Sequence, residues 1–291
     1  MRKKRRLIAL VALFLTVSMG IALSMKRQSR LSAAVAFLPE SPELLLFLKK
    51  PGLAYAQGYV RFPAGMPDDV ILFLDIEMLE GLKSPLWVKG GDWMSYVGLQ
   101  RTGAVWVTAG TDSTMKGTPS KDRKWEIRSL DQKLQPDTWY RVRVSADFSA
   151  RHFVSFEIEG GGLSKTIDLS KVTLDYPNYM PFDRGGVIVI PGAMRGRGMM
   201  KEDGEPIAYF DDIEAGIVLA DGTLKPLFTD GFETQDTLQS QPITLPAIKL
   251  DNYKFGYWYK ERDEALFSVE EQSFARSGKK VGAANATLEE F

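Results

Sequence analysis

Trp139–Phe148 reads WYRVRVSADF, and His152–Gly160, three residues further on, reads HFVSFEIEG. In the first stretch Val142, Val144 and Ala146 alternate with Arg141, Arg143 and Ser145. A period of two gives a strand one buried and one wet face, as in a sheet that faces solvent. Working outward, the same texture recurs as GYVRF at Gly58–Phe62, VILFLDIEML from Val70, SYVGLQ from Ser95 and AVWVTAG from Ala104. It continues as TIDLS from Thr166, GVIVIPG from Gly186 and AYFDDIEAGIVLA from Ala208. The segments are rich in β-branched and aromatic residues, bounded by Gly, Pro and Asp, and without a sustained 3.6-residue period. That pattern predicts an all-β, antiparallel jelly-roll sandwich.

Composition narrows the chemistry. The chain has 291 residues, 44% of them hydrophobic, which suffices for a substantial core. The 37 basic and 37 acidic residues balance, but the first 30 positions hold eight basic residues and no acidic one, so the remainder is eight charges negative. A body of that sign repels phosphate backbones, and no nucleic-acid partner is expected. With no Cys, disulfides, thiolate zinc sites and cysteine catalysis are excluded, and a single His, His152, rules out multi-histidine metal sites. His152 itself reads as a half-buried strand residue.

The N-terminus is a targeting signal. MRKKRR at Met1–Arg6 precedes a charge-free run from Leu7 to Met25, and Lys26, Arg27 and Arg30 follow. Nineteen uncharged, mostly apolar residues suit a membrane anchor better than the shorter core of a cleaved signal. The basic excess before the span keeps the N-terminus in the cytoplasm and the body outside it. Secretion after cleavage near Ser24 is the alternative. Residues 1–30 are thus a signal or single-pass anchor, 31–55 a stalk or lead-in segment punctuated by prolines, and 56–291 the sandwich.

Two glycine-rich stretches, KGGDW at Lys89–Trp93 and PGAMRGRGMMKEDG at Pro191–Gly204, lack phosphate-loop spacing and read as surface loops. Trp106 and Trp139 sit within alternating strands and read as core. Trp87 and Trp93 lie near the turns, and Tyr253–Tyr259 reads YKFGYWY. There Tyr257 and Tyr259 share one face and Trp258 takes the other, so one face is core and the other a candidate platform for a sugar ring. Trp93 is a further candidate, and Asp92, Asp251, Asn252 and Glu261 could bond hydroxyls.

The order of strands and turns resembles concanavalin-A-like jelly rolls and related bacterial carbohydrate-binding modules. LQPDTWYRVRVSADFSARHFVSFEIEG at Leu134–Gly160 is similar to a strand pair of those domains that ends at a Gly turn. AYFDDIEAGI at Ala208–Ile217 is similar to their closing strand, LFTDGFE at Leu227–Glu233 to their opening strand, and ARSGKKVG at Ala275–Gly282 to the turn that follows it. Here the closing motif comes first. Either a permuted single sandwich joins its old ends through a hairpin at Ala220-Asp221-Gly222-Thr223, or a first domain ends near residue 222 and a short second β unit follows.

The resemblance implies a structural calcium ion shared by the two strands, which implicates Asp230 and Glu233 with Asp211 or Asp212, helped by carbonyls around Ser277-Gly278. It also raises a hydrolase reading on LDIEMLE, Leu74–Glu80, where Asp75 and Glu77 project from one face as in laminarinase-like glucanases. Phe73, however, occupies the place of that family's first Glu. The bland reading is an edge strand with a polar outer face. The expected function is therefore non-catalytic binding of glycan, or cell-surface interaction, by a membrane-anchored extracytoplasmic protein. A glycoside hydrolase or polysaccharide lyase on the same fold is the alternative.

Overall fold

The structure, a computed structural model, describes residues 32–39, 41–79, 92–110, 124–175, 186–195, 206–234, 258–260, 267–285 and 287–288. Among them are one helix, α1 (Pro42–Lys49), and strands β1 (Ser32–Phe37), β2 (Leu53–Arg61), β3 (Val70–Leu79), β4 (Asp92–Met94), β5 (Val97–Gln100) and β6 (Ala104–Ala109). The chain continues through β7 (Lys124–Ser129), β8 (Trp139–Asp147), β9 (His152–Gly160), β10 (Leu163–Asp168), β11 (Gly186–Arg195) and β12 (Ile207–Val218). It closes with β13 (Leu224–Asp230), β14 (Trp258–Lys260), β15 (Phe267–Glu271), β16 (Lys280–Asn285) and β17 (Thr287–Leu288).

These strands make two sheets. One runs in the order β14-β1-β11-β3-β5-β6-β7, with β4 on β3 and β17 on β11. The other runs β10-β9-β8-β2-β12-β16-β15, with β13 on β12. Pairing is antiparallel throughout except for β11 with β17. The inner faces pack Val142, Val144, Phe156 and Ile158 of the second sheet into one core with Leu72, Leu74, Ile76, Val105 and Val187 of the first. Each large side chain buried there contributes about 1.5–3 kcal/mol.

Strand β8 alternates buried and half-exposed positions along its whole length, and its outward arginines pair with the next strand, Arg141 with Glu159 at 2.7 Å and Arg143 with Glu157. This is the wet face. Strand β3 is different: all ten of its residues are buried, and it lies inside its sheet between β11 and β5. VILFLDIEML is therefore not an edge strand. Its nearly unbroken apolar run reflects burial on both faces, for which no alternation is needed.

The segment 31–55, which reads as a stalk or lead-in, is instead built into the sandwich from Ser32 on. Strand β1 inserts between β11 and β14, with Ala34, Ala36 and Leu38 fully buried. Helix α1 follows for local reasons. The Ser41 side chain caps it by accepting the Leu44 N–H at 3.1 Å, Pro42 opens it, and Lys49 sits in its last turn. Leu44 and Phe47, three apart on one face, are buried, and Phe47 meets Phe148 edge-on at 6.1 Å. PGAMR at Pro191–Arg195 likewise is not loop but the end of β11, registered residue by residue on Leu74–Val70 of β3.

Strands β12 and β13 form a hairpin in which Val218 faces Leu224. The Leu219 N–H donates to the Thr223 carbonyl at 2.9 Å, and Gly222 adopts a φ of +84° that glycine alone tolerates freely. Strands that follow this turn join both sheets, so the chain on either side of residue 222 belongs to one sandwich.

Candidate functional site

The first sheet turns away from the core a face that gathers aromatic side chains from four neighbouring strands or their flanks. Antiparallel register sets Phe73 opposite Gly98, Gly98 opposite Trp106, and Trp106 opposite Ile127. In the adjacent row Thr108 faces Trp125, and the Thr108 N–H donates to the carbonyl of Tyr96. Phe73 and Tyr96 stack with centroids 4.5 Å apart. Tyr96 meets Trp125 edge-on at 5.4 Å, and Trp125 meets Trp106 at 6.0 Å. Glycine at 98 is required for this packing, since a Cβ there would fall 2.3 Å from the Ile71 Cγ2 and close to the Tyr96 ring.

Polar groups fix the rings. Trp106 Nε1 donates to Gln100 Oε1 at 2.9 Å, Gln100 Nε2 donates to the Asp69 carbonyl at 3.3 Å, and the Tyr96 hydroxyl donates to Met194 Sδ at 3.2 Å. The ladder is graded from covered to open. Phe73 and Tyr96 are buried, Trp125 and Trp106 are half-buried, and Ile127 on the edge strand is 52% exposed. Trp106 is therefore not a core residue; it stands on the outer face. Trp139 is half-buried on the wet face of the other sheet, its Nε1 donating to the Phe274 carbonyl at 2.8 Å.

Asp75 and Glu77 share the outer side of β3 with Phe73, further along the strand. They are 1% and 4% exposed, and Asp75 Oδ1 accepts the Ser95 N–H at 3.0 Å. The Ser95 hydroxyl donates to the Ile76 carbonyl at 2.6 Å. Asp75 thus fastens the short connection from β4 to β5.

Trp93 is no sugar platform. It is fully buried in the core, and the guanidinium of Arg151, itself only 4% exposed, lies 3.6 Å from its ring centroid. Trp258 and Tyr259 belong to β14, where they are registered with Ala36 and Val35. Tyr257 lies outside the described residues, as do Trp87, Asp251, Asn252 and Glu261. His152 is half-buried at the start of β9 and bridges Thr173.

Of the acids in the closing and opening motifs, Asp211, Asp212 and Glu233 reach the turn between β15 and β16, while Asp230 bonds within its own segment. A bulge in β12 with Asp212 at φ +47° turns the Asp211 carboxylate under that turn. Asp211 Oδ2 accepts the N–H groups of Arg276 at 2.7 Å and Ser277 at 3.1 Å, while Oδ1 accepts the Asp212 N–H at 2.8 Å. The Ser277 hydroxyl donates to Asp212 Oδ1 at 2.6 Å. Glu233 Oε1 accepts the N–H groups of Lys279 at 2.9 Å and Lys280 at 2.7 Å, and Asp230 Oδ1 accepts the Phe232 N–H at 2.6 Å. Burial pushes the Asp211 carboxyl up to about 6 and the neighbouring Asp212 adds to this, against the opposing pull of the three N–H groups.

This donor set does not fit a calcium ion. Asp211, Asp230 and Glu233 accept backbone N–H groups and Asp212 accepts the Ser277 hydroxyl, and among the described residues no three His, Cys, Asp or Glu side chains are grouped to hold a metal. The acids tie the turn to the hairpin.

Sequence reasoning missed Phe73, Tyr96, Trp125 and Gln100 as partners of Trp106. The pieces are four separate segments, and KWEIRS, which supplies Trp125, is short and half polar. Glycine inside SYVGLQ was the one local sign, since an interior strand glycine marks close approach.

With two sheets, antiparallel but for one short parallel pair, packed around one hydrophobic core, the chain is an all-β sandwich. No family model matches it, and no curated protein is significantly similar in sequence. Solved structures similar to it include a scytalido-glutamic peptidase with a peptide-based transition-state analogue (10% identity, TM-score 0.35, 89% of this chain and 98% of that one). Another is SCP-B, a member of the eqolisin family of peptidases, in complex with the tripeptide Ala-Ile-His (11%, 0.30, 89% and 98%). A third is the alginate lyase PA1167 from Pseudomonas aeruginosa (11%, 0.30, 57% and 65%). Likenesses this distant carry no argument about substrate or chemistry.

Proposed function

We propose that the outer face of the first sheet, from β5 to β7, is a non-catalytic platform for a glycan chain, held outside the cytoplasm by the N-terminal anchor. The observation that carries this reading is the aromatic ladder Phe73–Tyr96–Trp125–Trp106, whose outer members open toward solvent beside Ile127. Sugar rings present apolar faces that stack on such rings, and indoles fixed by packing and a hydrogen bond need little ordering on binding.

The hydrolase or lyase alternative draws on one feature, the common face of Asp75 and Glu77, with Cα atoms about 7 Å apart along β3. Against it, both acids are almost fully enclosed and Asp75 is committed to Ser95.

The experiment is a glycan-array screen of the full chain in lipid nanodiscs, which avoids sugar-based detergents, followed by titration of the best ligand. Trp125→Ala and Trp106→Ala should each weaken binding by roughly ten-fold, the loss of one stacked ring. Failure of the wild type to retain any glycan ends the proposal. Release of sugar products that stops in an Asp75→Asn, Glu77→Gln double variant replaces it with the enzyme.

A further inference from the structure

Four of the six large hydrophobic side chains exposed among the described residues gather at one end of the sandwich. Leu45 and Leu46 of α1 are 42% and 67% exposed, Leu53 at the start of β2 36%, and Leu219 at the turn after β12 41%. Their elements are tied together there. Phe47 of α1 packs on Phe148, whose N–H donates to the Gly52 carbonyl beside Leu53. Glu43 of α1 pairs with Lys225 at 3.6 Å across from the β12–β13 turn. Lys49 and Lys50 follow the exposed leucines directly and are themselves exposed. The acids nearby are turned elsewhere, Asp147 toward the N–H groups of Ser149 and Ala150, and Asp221 toward that of Thr223.

We infer that this end of the sandwich rests on the lipid surface of the membrane in which the chain is anchored, with Leu45 and Leu46 entering the headgroup boundary and Lys49 and Lys50 meeting phosphate oxygens. The inference rests on the reading of Leu7–Met25 as a membrane span and is independent of glycan binding. Its length argument is simple. Only residues 26–31 separate that span from Ser32 of β1, a reach of at most about 21 Å. So short a tether keeps the sandwich against the bilayer, and some face of it must touch. Exposed leucines followed by lysines on a short helix are the chemistry of an interfacial contact, whereas the wet face of β8 and β9 is a lattice of ion pairs. Strand β1 carries the chain about 17 Å from the tether to Phe37, a distance within the tether's reach, so α1 and its end of the sandwich can meet the surface while Ser32 stands above it.

The chain has no Cys, so a single one reports a single place. Full-length Leu46→Cys, labelled with an environment-sensitive nitrobenzoxadiazole dye, is reconstituted into vesicles of phosphatidylcholine and phosphatidylglycerol containing doxyl-labelled lipid. Ser164→Cys on exposed β10 serves as comparison. The expected result is a blue-shifted emission at position 46 and quenching at least twice that at position 164. Lys49→Glu with Lys50→Glu should weaken the quenching when phosphatidylglycerol is present and have little effect in phosphatidylcholine alone. Equal quenching at both positions, or none at 46, overturns the inference. So does energy transfer between dyes on separate copies that persists without lipid, which assigns the patch to a second copy of the chain. A full-length protein that does not float with vesicles removes the anchor and the inference together.

Discussion

The Glu233 carboxylate closes over Gly278. It accepts two successive N–H groups of the turn, those of Lys279 and Lys280, and a Cβ on Gly278 would lie 2.1 Å from its carboxyl carbon. Gly278 also holds a φ of +57°. Side-chain strain and the loss of both bonds thus coincide at one position, and Gly278→Ala should cost roughly 3 kcal/mol. Glu233→Gln keeps an acceptor and should cost about 1 kcal/mol. Chemical denaturation of both variants measures the difference. Because the acids here bind backbone, adding calcium or a chelator should leave the melting temperature of the wild type unchanged.

Asp211 gives stability an unusual pH dependence. A native carboxyl held near 6 binds its proton more tightly than the unfolded chain does. Its contribution is complete below about 3.8 and is lost as pH rises through about 6, by at most about 3 kcal/mol. Asp68, held down chiefly by Lys133, and Asp131, held down chiefly by Lys165, work in the opposite sense, adding stability as pH rises. The signature is therefore a difference. Between pH 4 and pH 7 the wild type should lose stability relative to Asp211→Asn, and parallel curves for the two would show that Asp211 titrates normally.

Arg151 covers the Trp93 ring from a buried position at φ +63°. Arg151→Ala should destabilise by about 2 kcal/mol or more, since a desolvated cation over an indole is among the stronger contacts of its kind. Lysine lacks the planar group that lies flat on the ring, so Arg151→Lys should recover only part of the loss. Thermal melts followed by near-ultraviolet circular dichroism read both stability and the setting of Trp93.

Asp75 is expected to matter for folding and not for turnover. Asp75→Ala removes the acceptor of the buried Ser95 N–H and should cost about 1–3 kcal/mol, and Asp75→Asn, which retains an oxygen, less. Neither Asp75→Asn nor Glu77→Gln should change the affinity for a glycan bound over Trp106 and Trp125 by more than about two-fold. A selective loss of product formation with stability intact would contradict this.

What the sequence determined by itself was local. The alternation of Val142, Val144 and Ala146 with Arg141, Arg143 and Ser145 fixed which face of β8 is wet, because successive side chains on a strand point to opposite sides. Asp221-Gly222 marked the hairpin, because its turn needs a residue free to take positive φ. Only the tertiary structure decided which strands lie side by side. A segment's own pattern shows how far it is covered and not which strands flank it, so the neighbours of β3 in its sheet, the entry of Ser32–Phe37 between β11 and β14, and the core position of Trp93 were not legible in their own segments. The aromatic ladder has the same origin. Phe73, Tyr96, Trp106 and Trp125 meet through the register of β3, β5, β6 and β7, and register is set by burial and pairing summed over both sheets.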